Sequence, residues 1–507
     1  MSTAADSGPG WRRVHPRTVL VTALVTTGVA LGAAVPVTVA LAGRLGYARA
    51  VGWAVAGAVL LIGCAAAGDH VRWRRTRYRV GTERVDLHTG LFLVKRRSLA
   101  RERIRSVDLT AHPLLRILGL VSVRIGTGEH TGGESTLELD PVGRAEGERL
   151  RRELLDRVTG PAAGSHREGA LATLDIRWIR YAPVSFVAPM LGGAAAGGVM
   201  QISEWAGVQA EVIDWIADRF RDTPLVQAIL ILVAAALVAG VVGALGLWTE
   251  MWWNYRLERE PGGTLRVTRG LLTSRSLSVE ERRLRGVDLV EPLGVRLTGA
   301  ARLDAITTGL AKDEEAHGAD HDTLLPVAPR PLAEAIAAEV LREPGSPTGA
   351  PLTAHPRAAR GRRLRRALTV VLVPVLVQVL LGALLTPVLL WTALGCAAVG
   401  VPLAVALALD AYRSLGHTLS GHYLVTRSGT VRRSTAALQR TGVIGWTVRQ
   451  SLFQRRAGLL SITATTAAGG GAYTAHDTDA SEGLAFASEA VPGLLEPFLE
   501  RTGDPGR

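Results

Sequence analysis

The stretch that decides the fold runs from Tyr78 to Gly128 and reads YRVGTERVDLHTGLFLVKRRSLARERIRSVDLTAHPLLRILGLVSVRIGTG. Apolar and polar residues alternate in short runs that glycines interrupt, a pattern typical of antiparallel strands joined by tight turns. Two apolar segments of membrane length precede it, and the same arrangement follows twice more along the chain. The sequence therefore predicts three repeats of a membrane hairpin followed by a β-rich unit.

The repeat is defined by two glycines and a central aliphatic residue in each copy. The first glycine and the aliphatic residue are 14 residues apart in every copy, and the aliphatic residue and the last glycine are 15 apart. The three sets are Gly90, Ile104 and Gly119; Gly270, Leu284 and Gly299; and Gly429, Val443 and Gly458. Gly90 and Gly270 each precede a strand-like run, Leu91–Val94 and Leu271–Leu272, which predicts turns with positive φ.

The composition indicates a membrane protein rather than one large soluble core. Hydrophobic residues make up 48% of the 507 residues, and they are clustered. The formal net charge is +13, nearly all from arginine, since Lys95 and Lys312 are the only lysines. Cys64 and Cys396 both lie in apolar segments, which excludes a disulfide framework and a cysteine-based metal site.

Six apolar segments are long enough to cross a bilayer, which needs about 20 residues. They form three hairpins: 18–42 with 51–67, 182–202 with 225–247, and 367–386 with 388–409. An alternative for the first is a twin-arginine signal peptide, because Arg12 and Arg13 precede it and Ala40–Ala42 resembles a cleavage site. The second span directly behind it favours a hairpin.

These patterns divide the chain into nine segments. The predicted order is a leader (1–17), hairpin 1 (18–68), β-rich domain 1 (69–159), a linker (160–176), hairpin 2 (177–248), domain 2 (249–342), a basic linker (343–366), hairpin 3 (367–409) and domain 3 (410–507). Further elements predicted are a strand at Thr136–Leu139 and helices at Arg144–Val158, Leu332–Leu341 and Glu482–Leu499. Leu150, Leu154 and Leu155 define one apolar helix face.

Arginine placement predicts the orientation, because cytoplasmic flanks of spans are enriched in basic residues. One side of the predicted spans has Arg12, Arg13, Arg17, Arg72–Arg79, Arg177, Arg180, Arg256, Arg357–Arg366 and Arg413. The other side has only Arg44, Arg49, Arg219 and Arg221. We therefore expect a multi-pass protein of the bacterial inner membrane, with both termini and all three β-rich domains in the cytoplasm.

A two-span hairpin followed by this glycine–aliphatic–glycine pattern resembles the bacterial membrane-flanked PH-like domain family, closest to its YdbT-like members with several units on one chain. The residues that match best are Tyr78, Gly90, Ile104, Gly119, Leu120, Tyr255, Gly270 and Leu284. The resemblance implies three α+β domains, each a bent antiparallel sheet capped by a C-terminal helix. Copy three departs from the pattern: Tyr423 lies six residues before Gly429, which predicts a shortened first hairpin.

Sequence motifs for catalysis are absent. Neither lysine belongs to a phosphate-binding loop, no histidine is followed by glutamate, and no GxSxG motif occurs. Gly469–Gly471 could cradle an anion, although a hairpin turn is favoured. His317 and His321 could bind a metal on a helix, but Gly318 between them favours a loop. We predict no catalytic residues, no metal and no cofactor.

The basic clusters beside the spans are candidate contacts for acidic lipids. They comprise Arg72, Arg74, Arg75, Arg357, Arg360, Arg362, Arg363, Arg365 and Arg366. Determination of topology explains them without a ligand, and attraction to anionic headgroups is a compatible second role. Nucleic-acid binding is not expected, because the charge lies beside membrane spans.

The function predicted is non-enzymatic: a membrane scaffold or regulatory protein that assembles with itself or with partner proteins at the bilayer. The alternative is a component of a transport or export system that uses the six spans. Charged residues inside the membrane would mark such a path, and the spans contain almost none.

Overall fold

The structure is a computed structural model that describes residues 10–81, 83–90, 95–104, 106–126, 136–155, 169–308 and 322–498. These residues form two compact units. Unit 1 contains the described parts of 10–170 and 253–281, and unit 2 contains 171–252, 282–308 and 322–498. Several sequence predictions fall outside the described residues: Leu91–Val94, the linker at 160–168, and His317 with His321.

Within the described ranges, five helices are long and apolar enough to cross a membrane. They are α1 (Thr18–Leu45), α2 (Tyr47–Arg75), α7 (Leu225–Trp252), α10 (Arg357–Leu384) and α11 (Pro387–Arg413). The segment predicted at 182–202 forms the shorter helix α5 (Val187–Trp205), whose four glycines lower its mean hydropathy. Helix α6 (Gln209–Arg219) follows it as a short amphipathic helix.

Helices α5 and α7 approach each other closely through glycines. A Cβ atom added at Gly192 would lie 2.2 Å from the Ala236 carbonyl oxygen, and one added at Gly240 would lie 2.0 Å from that of Ala188. Small residues permit such backbone contact between membrane helices. The second hairpin is therefore packed as a pair even though α5 is short.

Among the described residues, each repeat has six strands, with a short helix after the fourth and a longer helix after the sixth. Repeat 1 contains β2 (Arg77–Val80), β3 (Arg84–Thr89), β4 (Lys95–Ala100), β5 (Ser106–Ala111), α3 (Pro113–Ile117), β6 (Leu120–Gly126), β7 (Thr136–Gly143) and α4 (Arg144–Leu155). Two short strands flank it, β1 (Arg12–Arg13) and β8 (Gly169–Thr173).

Repeats 2 and 3 have the same order of elements. Repeat 2 contains β9 (Arg256–Glu260), β10 (Thr264–Arg269), β11 (Ser274–Glu280), β12 (Leu284–Pro292), α8 (Leu293–Leu297), β13 (Ala300–Thr307), β14 (Thr323–Pro329) and α9 (Arg330–Leu341). Repeat 3 contains β15 (Gly416–Ser420), β16 (Tyr423–Ser428), β17 (Arg432–Gln439), β18 (Gly445–Arg449), α12 (Leu452–Arg456), β19 (Leu459–Thr465), β20 (Ala472–Asp479) and α13 (Ala480–Ala490).

The sheets do not follow the borders of the repeats. In unit 1, six strands run in the order β7-β6-β5-β11-β10-β9, so repeat 1 continues into repeat 2. In unit 2 the order β14-β13-β12-β17-β16-β15 joins repeat 2 to repeat 3. Two further sheets have the orders β1-β2-β3-β4 and β18-β19-β20. The predicted borders at 159 and 342 therefore separate segments of sequence but not sheets.

The core of repeat 1 is one hydrophobic cluster that draws on both of its half-sheets. Tyr78 and Val85 from the first half pack with Val107 and Ile125 from the second. Helix α4 closes the cluster through Leu150 and Leu154, as the sequence predicted, and both are buried. Burial of large side chains, at about 1.5–3 kcal/mol each, holds the helix on the sheet.

The prediction of positive φ is confirmed at Gly90 and Gly270, and Gly429 of repeat 3 has the same feature. Gly90, Gly270 and Gly429 have φ values of +148°, +113° and +104°. The predicted shortening of the first hairpin in repeat 3 is wrong, because β15 and β16 have five and six residues, as β9 and β10 do. Tyr423 lies in the second strand of that hairpin and is not the counterpart of Tyr255.

Three predicted boundaries also move. Helix α13 ends at Ala490 rather than Leu499, since Pro492 cannot continue a helix. The strand predicted at Thr136–Leu139 extends to Gly143. The basic linker predicted over 343–366 is partly helical, because α10 begins at Arg357 and carries the basic run.

Candidate assembly junctions and basic membrane-proximal surfaces

Two junctions join neighbouring repeats, and both are antiparallel ladders between the fourth strand of one repeat and the third strand of the next. We call the β5–β11 pair junction 1 and the β12–β17 pair junction 2. At junction 1, Leu109 lies opposite Ser276. The residues at the same repeat positions one copy later, Leu289 and Thr435, lie opposite each other at junction 2. The register is therefore the same at both junctions.

An ion-pair network supports junction 1 from the side of helix α4. Arg151 is 3% exposed and donates from both terminal nitrogens to Glu260 of β9, at 2.8 and 2.9 Å. Arg266 of β10 donates to Glu148 at 2.7 Å. Burial alone would raise the pKa of Glu148, but Arg266 and Arg151 hold it below its ordinary value. The helix of repeat 1 is thus tied to strands of repeat 2.

Junction 2 uses an ion pair placed on the ladder itself. Arg433 of β17 donates to both carboxylate oxygens of Glu291 of β12, at 2.8 and 2.6 Å. Glu291 is 1% exposed, and Arg330 lies 3.7 Å from it. Fork-like arginine–carboxylate pairs are among the strongest hydrogen-bonded contacts in proteins. Neither Glu291 nor Arg433 has a charged counterpart at the same position of junction 1, where Ala111 and Ser274 face each other.

An aspartate occurs at the same position of both fourth strands. Burial raises the pKa of Asp108 to about 7, against the opposing charge of Arg124. Burial likewise raises the pKa of Asp288 to about 6, although Ser434 donates a hydrogen bond to it at 2.6 Å. The corresponding residue of β18 is Thr447. Both junctions thus contain a carboxyl group that titrates above its usual range.

The first basic cluster lies at the end of helix α2. Arg72, Arg74 and Arg75 are exposed in its last turns, where positive charge also complements the helix dipole. Trp73 between them donates from Nε1 to the Val14 carbonyl oxygen at 2.9 Å. This ties the helix end to the residues before α1, while the arginines face outward.

The second basic cluster divides into two groups along the first turns of α10. Arg357, Arg360, Arg365 and Arg366 are exposed. Arg362 is 8% exposed and forms an ion pair with Asp477, and Arg363 Nε lies 3.6 Å from the same carboxylate. Four of the six predicted lipid-contacting arginines of this run therefore point outward, and two hold repeat 3.

Asp477 joins the start of α10 to the last sheet. It has a φ of +56°, and its carboxylate also accepts a hydrogen bond from Gln454 of α12 at 2.9 Å. Nothing in the sequence around Asp477 indicates this role, since its partners lie 23 and 115 residues away. Glu291, Arg151 and Glu260 were missed for the same reason.

A pair of buried histidines lies close to this contact. His355 Nε2 and His417 Nδ1 are 3.1 Å apart, and the ring of His417 packs edge-on against Phe486. Burial and the neighbouring His355 lower the pKa of His417 to about 4, so the ring is neutral at physiological pH. Tyr412 of α11 donates to the His355 carbonyl oxygen at 2.9 Å, which connects α11 to the segment that enters α10.

The glycine run Gly469–Gly471 forms the turn between β19 and β20. Gly469 and Gly471 have φ values of +56° and +75°, and the Gly470 N–H donates to the Tyr473 hydroxyl. A Cβ atom at Gly469 would lie 2.3 Å from that hydroxyl oxygen. The glycines are therefore explained by the turn, which is the interpretation that the sequence favoured.

Comparison with known proteins places these features in a family. The sequence profile of the bacterial PH domain matches residues 23–158, 212–344 and 367–489. The UPF0699 transmembrane protein YdbT of Bacillus subtilis (strain 168) is 21% identical over 281 residues, 52% of this chain and 56% of YdbT. The UPF0699 transmembrane protein YdbS of the same organism is 33% identical over 91 residues, 18% of this chain and 54% of YdbS.

The matched region thus spans about half the length of each of these curated relatives. No solved structure matches the chain. The three profile matches each begin near or within a predicted hairpin and extend through one β-rich repeat, in agreement with the register of the glycines. With apolar helices between its sheets, the chain is a multi-pass membrane protein that belongs to the bacterial PH domain family.

Proposed function

We propose that this chain is a non-enzymatic membrane scaffold whose PH-like repeats bind partner proteins at the cytoplasmic face of the inner membrane. The observation that carries the proposal is the continuation of sheets from one repeat into the next. Each of these sheets combines strands of two repeats into one continuous surface, which suits assembly better than independent binding modules on flexible linkers. No activity is assigned by the fold alone.

A transport role has less support. The six apolar segments predicted from the sequence contain no Asp, Glu, Lys, Arg or His. Ionisable residues inside a membrane are the usual mark of a translocation path. The first and second helices of each hairpin are better explained as anchors that hold the repeats at the bilayer.

The scaffold is tested by isolating the full chain from native membranes in polymer nanodiscs after mild cross-linking. We expect a partner at fixed stoichiometry that is lost when Gly270→Val disrupts junction 1. Recovery of the chain without any partner, or of the same partner from the disrupted variant, would contradict the proposal. Gly345→Val is the matched control and should retain the partner, because a Cβ atom at Gly345 would meet no atom within 4 Å.

Orientation and the number of spans form the next part of the proposal. We expect six spans, with α5 crossing beside α7, and all three repeats in the cytoplasm. Reporter fusions after Arg79, Gly160, Gly345 and the C-terminus should report the cytoplasm, and a fusion at Asp218 the outside. An outside signal at the C-terminus, or a cytoplasmic signal at Asp218, would exclude this topology.

The exposed arginines are proposed to contact acidic lipid headgroups. Each arginine near an anionic surface contributes about 1 kcal/mol. We expect a variant with glutamine at Arg357, Arg360, Arg365 and Arg366 to retain less phosphatidylglycerol and cardiolipin than the unaltered chain, measured by mass spectrometry of the purified protein. The matched control replaces the exposed Arg219 and Arg221, on the predicted outer side. Equal loss in both variants, or no loss in either, leaves only the topological role.

A further inference from the structure

Two strands, β4 and β18, lie at sheet edges, although the corresponding strands of the other repeats have a partner on that side. In the part of the chain that the structure describes, β4 pairs with β3 alone, and β18 pairs with β19 alone. By repeat position, β4 corresponds to β11 and β17, and β18 corresponds to β5 and β12. Every corresponding strand is paired across a junction. Among the described residues, the first repeat thus has a third strand (β4) without a fourth strand beside it, and the third repeat has a fourth strand (β18) without a third strand beside it.

The two unfilled edges are complementary by the rule that both existing junctions follow. Leu109 lies opposite Ser276, and the equivalent Leu289 lies opposite Thr435. The residue of repeat 3 at the position of Leu109 and Leu289 is Val448. The residue of repeat 1 at the position of Ser276 and Thr435 is Arg96. The same correspondence places Gly445 opposite Leu99 and Thr447 opposite Arg97.

We propose that β18 of one copy of this chain pairs with β4 of a second copy, antiparallel and in the register that sets Val448 opposite Arg96. This deepens the proposed scaffold function and rests on it, because it names a second copy as one of the partners. The contact is head-to-tail, so it generates a ring or an open row of copies according to whether the rotation closes. Addition of a strand to a free sheet edge is a common mode of protein recognition.

A second copy of the chain is the partner that continues the existing junctions. Each repeat carries its own membrane hairpin, and repetition of the same junction would bring the hairpins of the next copy to the same membrane. Strand β18 is accessible, since Thr447, Val448 and Arg449 are all exposed. An unprotected strand edge invites pairing, whereas charges on an edge strand discourage it.

The charge on the two strands makes the contact weak. Arg449 on β18 and Arg96 and Arg97 on β4 are all basic, and like charges across a ladder are destabilising. Thr447 occupies the position that is Asp108 at junction 1 and Asp288 at junction 2, so an acidic residue that would face Arg97 is missing. Confinement of both copies to one membrane raises their effective concentration and offsets this weakness.

The test is disulfide trapping between two full-length chains with different tags, expressed together in one membrane. Both carry Cys64→Ala and Cys396→Ala; one adds Val448→Cys and the other adds Arg96→Cys. Paired residues on antiparallel strands have Cα atoms about 4.5–5.5 Å apart, within disulfide range. We expect oxidation to give a dimer with both tags, at several times the yield of a control that joins Thr447→Cys to Arg96→Cys on opposite faces.

Each outcome decides the proposal. A dimer that depends on register supports it, while no dimer, or equal yields from both pairs, overturns it and identifies β4 as an edge protected by charge. A single chain that carries both cysteines tests the alternative that β18 pairs with β4 of the same chain. A disulfide within that chain, seen as a faster-migrating monomer in place of a dimer, would overturn the pairing between copies. If no dimer is trapped but another protein still co-purifies, the proposed scaffold function stands without pairing between copies. If a dimer is trapped and no other protein co-purifies, the scaffold assembles only with itself.

Discussion

Junctions 1 and 2 have the same backbone register but different side-chain chemistry. At junction 1 the ion-pair network lies outside the ladder, where Arg151 of helix α4 reaches Glu260. At junction 2 the pair of Glu291 and Arg433 belongs to the two ladder strands. The comparison indicates that repeat geometry determines which strands meet, and that each junction has its own means of neutralising the charge it buries.

The largest expected effect comes from glycine substitutions that should open one junction and leave the other intact. A Cβ atom at Gly270 would lie 1.9 Å from the Thr273 carbonyl oxygen, and one at Gly429 would lie 2.0 Å from that of Arg432. Because positive φ also strains a β-branched residue, we expect Gly270→Val to cost about 3 kcal/mol or more. Hydrogen exchange in nanodiscs should show lost protection of β5 and β11 only.

Gly429→Val should do the converse and expose only β12 and β17. Loss of protection at both junctions from either substitution would mean that they open as one unit. Gly345→Val serves as the control that should leave both ladders protected.

The second expected effect comes from removing one partner of the ion pairs at each junction. Glu291→Ala leaves Arg433 with little solvent and without its carboxylate partner, and breaking such a buried pair costs about 3 kcal/mol. Arg151→Ala should cost less, about 2 kcal/mol, because Arg266 still contacts both Glu148 and Glu260. Local opening free energies from hydrogen exchange measure both.

Glu258→Ala provides the matched control, since its pair with Arg256 is partly exposed to solvent and its loss should change stability by less than about 0.5 kcal/mol. If Arg151→Ala proved as costly as Glu291→Ala, the network at junction 1 would not be redundant.

The smallest effect concerns pH. The folded pKa of Asp108 is raised to about 7, above the value of about 3.9 in an unfolded chain. The unfolded chain therefore releases this proton first as the pH rises, so stability falls between about pH 4 and pH 7. Asp108→Asn should abolish this decline at junction 1, a change of about 1 kcal/mol given the partial exposure of Asp108.

Asp288→Asn should do the same at junction 2 over a narrower window, since its pKa is raised only to about 6. Stability of the Asp108→Asn variant that still falls between pH 4 and pH 7 would assign the decline to other groups.

The sequence predicted the parts of the repeat well and their connections poorly. Glycine spacing located the turns at Gly90 and Gly270, since glycine adopts a positive φ without strain. A local sequence pattern identifies β11 as a strand but does not show which edge of that strand finds a partner, so sheets that cross repeats could not be foreseen. A local pattern explains β11 as a strand of repeat 2, while its pairing is decided by repeat 1.

The basic run before hairpin 3 illustrates a second limit. Its charge density predicted a surface facing lipid, which fits Arg357 and Arg360. Helical periodicity then turns Arg362 towards Asp477, a residue 115 positions away. The sequence predicts a linker here, and only long-range packing reveals this inward face.

The short connections between membrane helices and strands have a mechanical consequence. Helix α2 ends at Arg75 and β2 begins at Arg77, and α11 ends at Arg413 with β15 beginning at Gly416. One or two extended residues supply at most about 7 Å of slack. A helix of 29 residues is about 44 Å long, so a tilt of about 10° displaces its end by about 8 Å. Thinning or thickening of the bilayer that tilts these helices must therefore pull directly on the sheets.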